Sequence, residues 1–312
     1  MKTAIVGSGA MGQLFGAHLV RAGEEVIYLD ANPAIIEALN ERGVTLHSER
    51  GAEHTPARAM RAEELEGEVD LVIVFTKGFH TEAAVVSVGH LIGPGTVGLT
   101  LQNGLGNAEA LEEVFGTRRT LLGMTDFPAD MREPGIVHTS TEGKVRLGSR
   151  APGAEAERIA AALDAAGLHA AADADIQVPV WEKVAFNAAF NTLSAATGMT
   201  VGEIAASPHT RAIIAAVLDE AVAVAASRGV PVSRERIDAS VANAYEHHTH
   251  HKTSMLLDRE AGRRTEIDTI GGAIVRIGAE EGIPTPVLAT LAGIVRALTE
   301  AEDAQEAQLA AD

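Results

Sequence analysis

Lys183, Asn187 and Asn191 recur at intervals of four within the run VWEKVAFNAAFNTLSAATG. On a helix turning about 100° per residue, this spacing sets an ammonium and two amides on one stripe roughly 12 Å long. Trp181, Val184, Phe186 and Phe190 surround the stripe, so the helix is otherwise built for burial. A polar stripe on an apolar helix either faces solvent or lines a site. Asparagine is a poor helix former at mid-helix, and two of them here favour the site. An ammonium in such a site offers both a positive charge and a proton.

Other candidates lie on turns. Lys77 follows the apolar run LVIVFT, and Asn103 follows VGLTLQ in the turn QNG. Both runs read as strands, and in open α/β sheets ligands collect beyond the carboxyl ends of strands. Taken alone, each residue is better explained without a function, Lys77 as a solvated loop lysine and Asn103 as a turn asparagine before Gly104. Farther on, HKTSMLLDREAGRRTEIDTIGG carries Ser254 near one helix start and Glu266 near the next. Thr265 could cap that second helix with Asp268 three residues on, which would leave Glu266 as an ordinary first-turn carboxylate.

The chain opens on AIVGSGAMGQLFGAHLVRAG, with Gly7, Gly9 and Gly12 between a strand and a helix. Gly7 permits the tight turn, Gly9 lets the backbone approach a pyrophosphate, and Gly12 lets helix and strand pack closely. Ala10 and Met11 complete the loop, whose N–H groups at the helix N-terminus suit phosphate. Asp30 ends the second strand about 20 residues on, where a carboxylate accepts ribose hydroxyls. Together these features point to a dinucleotide, with NAD favoured by Asp30 and NADP as the alternative, since no Arg or Lys follows until Arg42. Asp30 could instead cap the following helix while Asn32 or a loop handles a phosphate.

These residues need a frame. Short apolar runs at Lys2 to Val6, Glu25 to Leu29, Asp70 to Phe75 and Thr96 to Leu101 alternate with helical patterns, the signature of a mostly parallel α/β sheet. Further strands are expected at Thr120 to Met124, Gly135 to His138 and Lys144 to Gly148, the last two pairing as an antiparallel edge. After about Asp173 only helical patterns remain: Ile176 to Thr197, Pro208 to Gly229, Ser233 to Tyr245, Thr253 to Ala261, Glu266 to Gly282 and Pro286 to Ala301, with a polar end expected to fray. The expected fold is an N-terminal Rossmann domain, residues 1–172, doubly wound and mostly parallel, followed by an all-α domain, residues 173–312.

Composition excludes several classes. A formal net charge of −18 repels phosphate backbones and anionic lipid, so neither nucleic acid nor a membrane is expected as a partner. The chain has no cysteine, hence no disulfide framework and no thiolate nucleophile, which fits the cytoplasm. No run reaches the roughly 18 apolar residues of a membrane span. The glycines, His18 and Arg21 interrupt the opening stretch too often for an export signal. Histidines 247, 248, 250 and 251 form a cluster, but adjacent histidines diverge on a helix and no carboxylate pair flanks them, so an exposed helix end is expected and no metal.

Taken together, the GSGAMG start, the FTKGF segment at Lys77, the QNG turn, the WEKVAFNAAFN helix and the KTSMLLD and RRTEIDTIGG blocks resemble the ketopantoate reductase family over nearly the whole chain. The resemblance implies hydride transfer from NAD(P)H to the C2 carbonyl of ketopantoate, giving (R)-pantoate. It implies that Lys183 is the general acid, that Glu266 hydrogen-bonds the substrate hydroxyl, and that Asn103, Asn187, Asn191 and Ser254 hold substrate, Asn103 also meeting the nicotinamide. Lys77 would lie beside the cofactor, and the helical domain would bind substrate and form a homodimer. The chemistry is consistent, since hydride arriving at a carbonyl leaves an oxygen in need of a proton, and an ionised carboxylate cannot supply it. This chain departs from the family's pattern at Thr192 and Thr253, where proline is usual. A D-2-hydroxyacid dehydrogenase of the mandelate type, acting on bulkier 2-keto acids, is the alternative on the same scaffold. A nucleotide sensor without turnover is disfavoured, because it would have no use for a proton donor.

Overall fold

The computed structural model describes residues 1–151, 153 and 155–309. Two compact units emerge: Met1–Gln102 with Gly106–Ile176, and Asn103–Leu105 with the chain from Gln177 onward. The first unit runs β1 (Lys2–Val6), α1 (Ala10–Arg21), β2 (Glu25–Leu29), α2 (Pro33–Arg42), β3 (Val44–Ser48), β4 (Gly51–Thr55), β5 (Ala59–Met60), β6 (Val69–Val74), α3 (Thr81–Ser87), β7 (Ile92–Thr100), α4 (Asn107–Phe115), β8 (Thr120–Thr125), β9 (Ala129–Glu133), β10 (Ile136–Thr139), β11 (Val145–Gly148), α5 (Glu155–Ala165) and β12 (Ala170–Ala172).

Among the described residues the main sheet has eight strands in the order β12-β11-β8-β7-β6-β1-β2-β5. From β5 to β8 every neighbouring pair is parallel. Counted in chain order this stretch reads third, second, first, fourth, fifth, sixth, the doubly wound arrangement whose direction of winding reverses between β1 and β6. Its strands are apolar on both faces because both are covered. Ile5, which pairs with Tyr28 and Ile73, is fully buried, as are Leu71 and Leu99.

The expected pairing of the last two strands does not occur. β11 lies antiparallel to β8 and extends the main sheet, whereas β10 joins a second, four-stranded sheet ordered β4-β3-β10-β9. The alternation of apolar residues suits either edge, so partner availability decides. Val44, Leu46 and Val137 of the small sheet and Val145 and Leu147 of β11 all join one core with Leu14 and Phe15 of α1. β4, β5, β9 and β12 carry little apolar periodicity and escape a reading by pattern; β3 alternates Val44, Thr45, Leu46 and His47 but is short and is not among the expected strands.

The second unit is helical: α6 (Gln177–Thr197), α7 (Val201–Ala206), α8 (Pro208–Ser227), α9 (Arg234–His247), α10 (Ser254–Glu260), α11 (Gly271–Glu281) and α12 (Pro286–Leu309). α6 is its axis, with α8, α9, α10, α11 and α12 packed around it. Trp181, Phe190 and Leu193 of α6 share one core with Val217, Ile274 and Leu288. Caps set the helix starts. Thr200 and Glu203 form a capping box on α7, and Ser233 and Thr253 cap α9 and α10.

Two boundaries differ from expectation. The helix expected from Glu266 starts at Gly271, and residues 266–270 form a turn. Asp268 makes no capping pair with Thr265, because its carboxylate is taken by Arg296 of α12 at 2.8 Å. α12 runs past the expected stop at Ala301 to Leu309, since Ala, Glu and Gln are strong helix formers even without an apolar face. Of the end expected to fray, residues 310–312 lie outside the described residues. Histidines 247, 248, 250 and 251 are exposed at the end of α9. Among the described residues no helix is long and apolar enough to cross a membrane, and no group of three or more His, Asp or Glu is placed to hold a metal.

Candidate active site

The glycine loop between β1 and α1 contains three glycines that are small for different reasons. Gly7 has φ +94°, and a Cβ there would strike the backbone of Phe75 and Thr76 at the end of β6. At Gly12 a Cβ would strike the carbonyl oxygen of Gly7. Gly9 is different. Its φ is −72°, open to any residue, and a Cβ there would find nothing within 4 Å. The fold does not need a glycine at that position, whereas a group approaching the loop from outside does. That observation fits a pyrophosphate lying against the loop, with half-buried Ala10 and Met11 in the first turn of α1.

Asp30 stands beside this loop at the end of β2. Its carboxylate accepts the Ser8 N–H at 2.7 Å and the Asn32 N–H at 2.9 Å. The capping alternative for Asp30 is thereby answered: α2 is capped by Asn32, whose side chain accepts from the Ala34 N–H at 3.0 Å. β5 adds what the sequence reading did not contain. The Asp30 N–H donates to the Met60 carbonyl at 3.2 Å, so exposed Arg61 is the next residue along on the neighbouring strand.

Lys77 is half-buried on the loop after β6. A polar network that sequence reasoning missed holds this loop. The Gln102 amide donates to the Thr76 carbonyl at 2.6 Å and to the Thr81 hydroxyl at 2.9 Å, and Thr81 donates in turn to Asn107 at 2.8 Å. Polar residues at the carboxyl ends of two adjacent parallel strands were the available signal, passed over as parts of a turn.

In the helical unit, Lys183 and Asn187 are half-buried and Asn191 is 6% exposed, on successive turns of α6. Asn191 Nδ2 lies 3.5 Å from Ser254 Oγ, at the first residue of α10, which Thr253 caps. The departure from proline at Thr253 therefore supplies a cap. Asn103 reaches this unit through its neighbours: the Leu105 N–H donates to the Thr269 carbonyl at 2.8 Å, and a Cβ on Gly104 would collide with Thr269. Thr269 belongs to the turn headed by Glu266, and its hydroxyl bonds the Glu266 carbonyl at 3.2 Å. Glu266 itself is 8% exposed. Thr192, beside Asn191, faces Gly271 at the end of the same turn, and its buried hydroxyl has no protein partner. The helical unit thus gathers Asn191 with Ser254, and Asn103 with the turn of Glu266. It holds an ammonium, amides, a hydroxyl and a carboxylate, a set able to bind a polar acid and move one proton.

Residues 3–152 match the family model described as "Ketopantoate reductase PanE/ApbA", and residues 175–299 match "Ketopantoate reductase PanE/ApbA C terminal". A 2-dehydropantoate 2-reductase of Archaeoglobus fulgidus is 34% identical over 94% of this chain and 96% of its own. One from Streptococcus pyogenes is 31% identical over the same shares. Among solved structures, a ternary complex of D-mandelate dehydrogenase with NADH and anilino(oxo)acetate superposes with a TM-score of 0.92 at 28% identity, covering 97% of this chain and all of that one. The 2-dehydropantoate 2-reductase of Geobacter metallireducens gives 0.88 at 33% identity, over 95% and 99%. With both halves matched in order and relatives aligned almost end to end, the chain belongs to the ketopantoate reductase PanE/ApbA family.

Proposed function

We propose that this NAD(P)-dependent oxidoreductase reduces the C2 carbonyl of 2-dehydropantoate to give (R)-pantoate, with the first unit holding the dinucleotide and the second the keto acid. The observation that carries the proposal is the gathering in one helical unit of Asn103, Asn191, Ser254 and the Glu266 turn around the helix that bears Lys183. When bound, the reduced nicotinamide supplies the hydride. The chain's own residues do the rest. Gly7, Gly9, Ala10, Met11 and Gly12 hold the pyrophosphate, Asp30 takes the ribose hydroxyls, and Lys77 and Asn103 flank the nicotinamide.

Lys183 holds a proton for the oxygen at C2 and, before giving it up, offsets the negative charge that gathers there. Asn187, Asn191 and Ser254 bind and orient the acid with amide and hydroxyl donors, as the chain's net charge of −18 requires of any anionic ligand. Glu266, an acceptor when ionised, takes the hydrogen of the substrate hydroxyl. In the same reading the enzyme is a cytoplasmic homodimer; the lack of cysteine supports a reducing compartment, and Leu257 and Ile294, 44% and 42% exposed on the helical unit, suit a dimer contact.

The likeness to D-mandelate dehydrogenase favours a second reading, a D-2-hydroxyacid dehydrogenase for bulkier 2-keto acids. Loss of reduced-nicotinamide absorbance, followed with 2-dehydropantoate beside phenylglyoxylate and 2-ketoisovalerate, separates the two. Turnover of 2-dehydropantoate at the highest kcat/KM is expected. Reduction of the other two acids alone would overturn the assignment.

A further inference from the structure

Gln13, in the first turns of α1, is fully buried and uses both ends of its amide. Its Nε2 donates to the Ser8 carbonyl at 2.7 Å and lies 3.1 Å from Met131 Sδ, while its Oε1 accepts the Gly135 N–H at 3.0 Å. The orientation of the amide is unambiguous, because one neighbour is a carbonyl and the other an N–H. Met131 belongs to β9 and Gly135 to the turn before β10, so a single side chain ties the glycine loop to the small sheet beneath α1.

The Ser8–Gly9 peptide is trans and planar, as are its neighbours, so its C=O and its N–H point to opposite sides. With the Ser8 carbonyl drawn inward onto Gln13, the Gly9 N–H must point outward. A Cβ on Gly9 would meet nothing within 4 Å, and no side chain caps the start of α1. The preceding Ser8 N–H is already committed to Asp30. Ser8 is therefore held on both sides, its N–H by Asp30 and its carbonyl by Gln13, and the bond from Gln13 decides which way the Gly9 N–H of the Ser8–Gly9 peptide faces.

We infer that Gln13 is a positioning residue for dinucleotide binding: by anchoring the Ser8 carbonyl to the β9–β10 turn, it fixes the Gly9 N–H toward the pyrophosphate. The inference rests on the dinucleotide reading of the loop. An unanchored loop would have to be ordered at the moment of binding, at a cost in affinity for either cofactor form. Packing alone would not have this effect, because a residue that merely fills space under α1 influences folding and not the direction of a peptide.

Binding of NADH and of NADPH to the intact, cofactor-free protein, followed by nicotinamide fluorescence alongside thermal unfolding, tests this. Gln13→Met keeps the length and removes the amide, and is expected to raise both dissociation constants by about tenfold or more. Met131→Leu perturbs the same pocket but spares the bond to Ser8, and is expected to leave both constants within about twofold whatever it does to the melting temperature. Gln13→Glu adds a signature specific to the bond: an ionised carboxylate cannot donate to the Ser8 carbonyl but a protonated one can, so its affinity should recover toward wild type as pH falls. Wild-type constants in Gln13→Met, an equal loss in Met131→Leu, or weak binding by Gln13→Glu at every pH would each overturn the inference. Wild-type protein that binds neither cofactor would instead overturn the dinucleotide reading itself.

Discussion

Asp30 should make the enzyme prefer NADH, and the structure shows why its charge cannot be moved aside. Its two oxygens hold the Ser8 and Asn32 N–H groups at 2.7 and 2.9 Å, so swinging away from an incoming phosphate would break two charge-assisted bonds. For a unit charge about 5 Å away, Coulomb's law gives roughly 0.8 kcal/mol in water and about 3 kcal/mol at the effective dielectric of a protein surface. Asp30 is half-buried, so about 1–3 kcal/mol against the 2′-phosphate is expected, or roughly 5- to 150-fold in kcat/KM. Arg61, next along from Met60 beside Asp30, works in the opposite direction from an exposed position. Replacing the charge while keeping an acceptor, as in Asp30→Asn, should raise kcat/KM for NADPH relative to NADH by about fivefold or more. Arg61→Ala should weaken NADPH alone. The assay is steady-state kinetics with both cofactors on one keto acid. A wild-type preference for NADPH, or a ratio unmoved by Asp30→Asn, would refute the electrostatic reading of Asp30.

Lys183→Ala should lower kcat by about 10²-fold or more while the dissociation constant for NADH barely changes, and normal single-turnover chemistry would remove Lys183 from proton transfer. Glu266→Ala should cost far more activity with 2-dehydropantoate than with 2-ketoisovalerate, which lacks the hydroxyl; equal losses on both would mark Glu266 as structural. Glu220 reaches from α8 to accept the Val287 and Leu288 N–H groups at 2.8 and 2.9 Å at the start of α12, so Glu220→Ala should lower unfolding stability by about 1–2 kcal/mol in a urea titration, and an unchanged midpoint would show the cap to be idle. Burial holds the His18 imidazole below its ordinary pKa, against the opposing bond to the Ala166 carbonyl. The native state thus favours neutral His18; its contribution to stability is present above the unfolded value of about 6.5 and is lost as pH falls through and below it. His18→Gln should flatten that acid limb in denaturant titrations across the range, and an identical slope in both proteins would count against His18 as its source.

Much of the site could be read from spacing alone, because helices and strands impose their periods locally. The interval of four from Lys183 to Asn191 requires a shared helix face whatever packs against it, and Gly7 and Gly12 carry their steric reasons within a few residues of chain. Other features escaped. The helix expected at Glu266 begins five residues later, since a first-turn carboxylate and a turn carboxylate look alike until Arg296 is seen to hold Asp268.

By itself, then, the sequence determined which faces are polar, where the glycine loop between first strand and first helix lies and how an α/β half gives way to a helical one, all consequences of local period and of glycine, proline and capping chemistry. Only the tertiary structure decided that Asn103 joins the turn of Glu266, that β10 and β11 part for different sheets, that two residues of β5 bring Arg61 beside Asp30, and that Gln13 spans from the glycine loop to Gly135. Each of these depends on which distant partner satisfies a backbone edge or a buried amide. That choice is a competition among alternatives of similar local merit, settled by the packing of the whole chain.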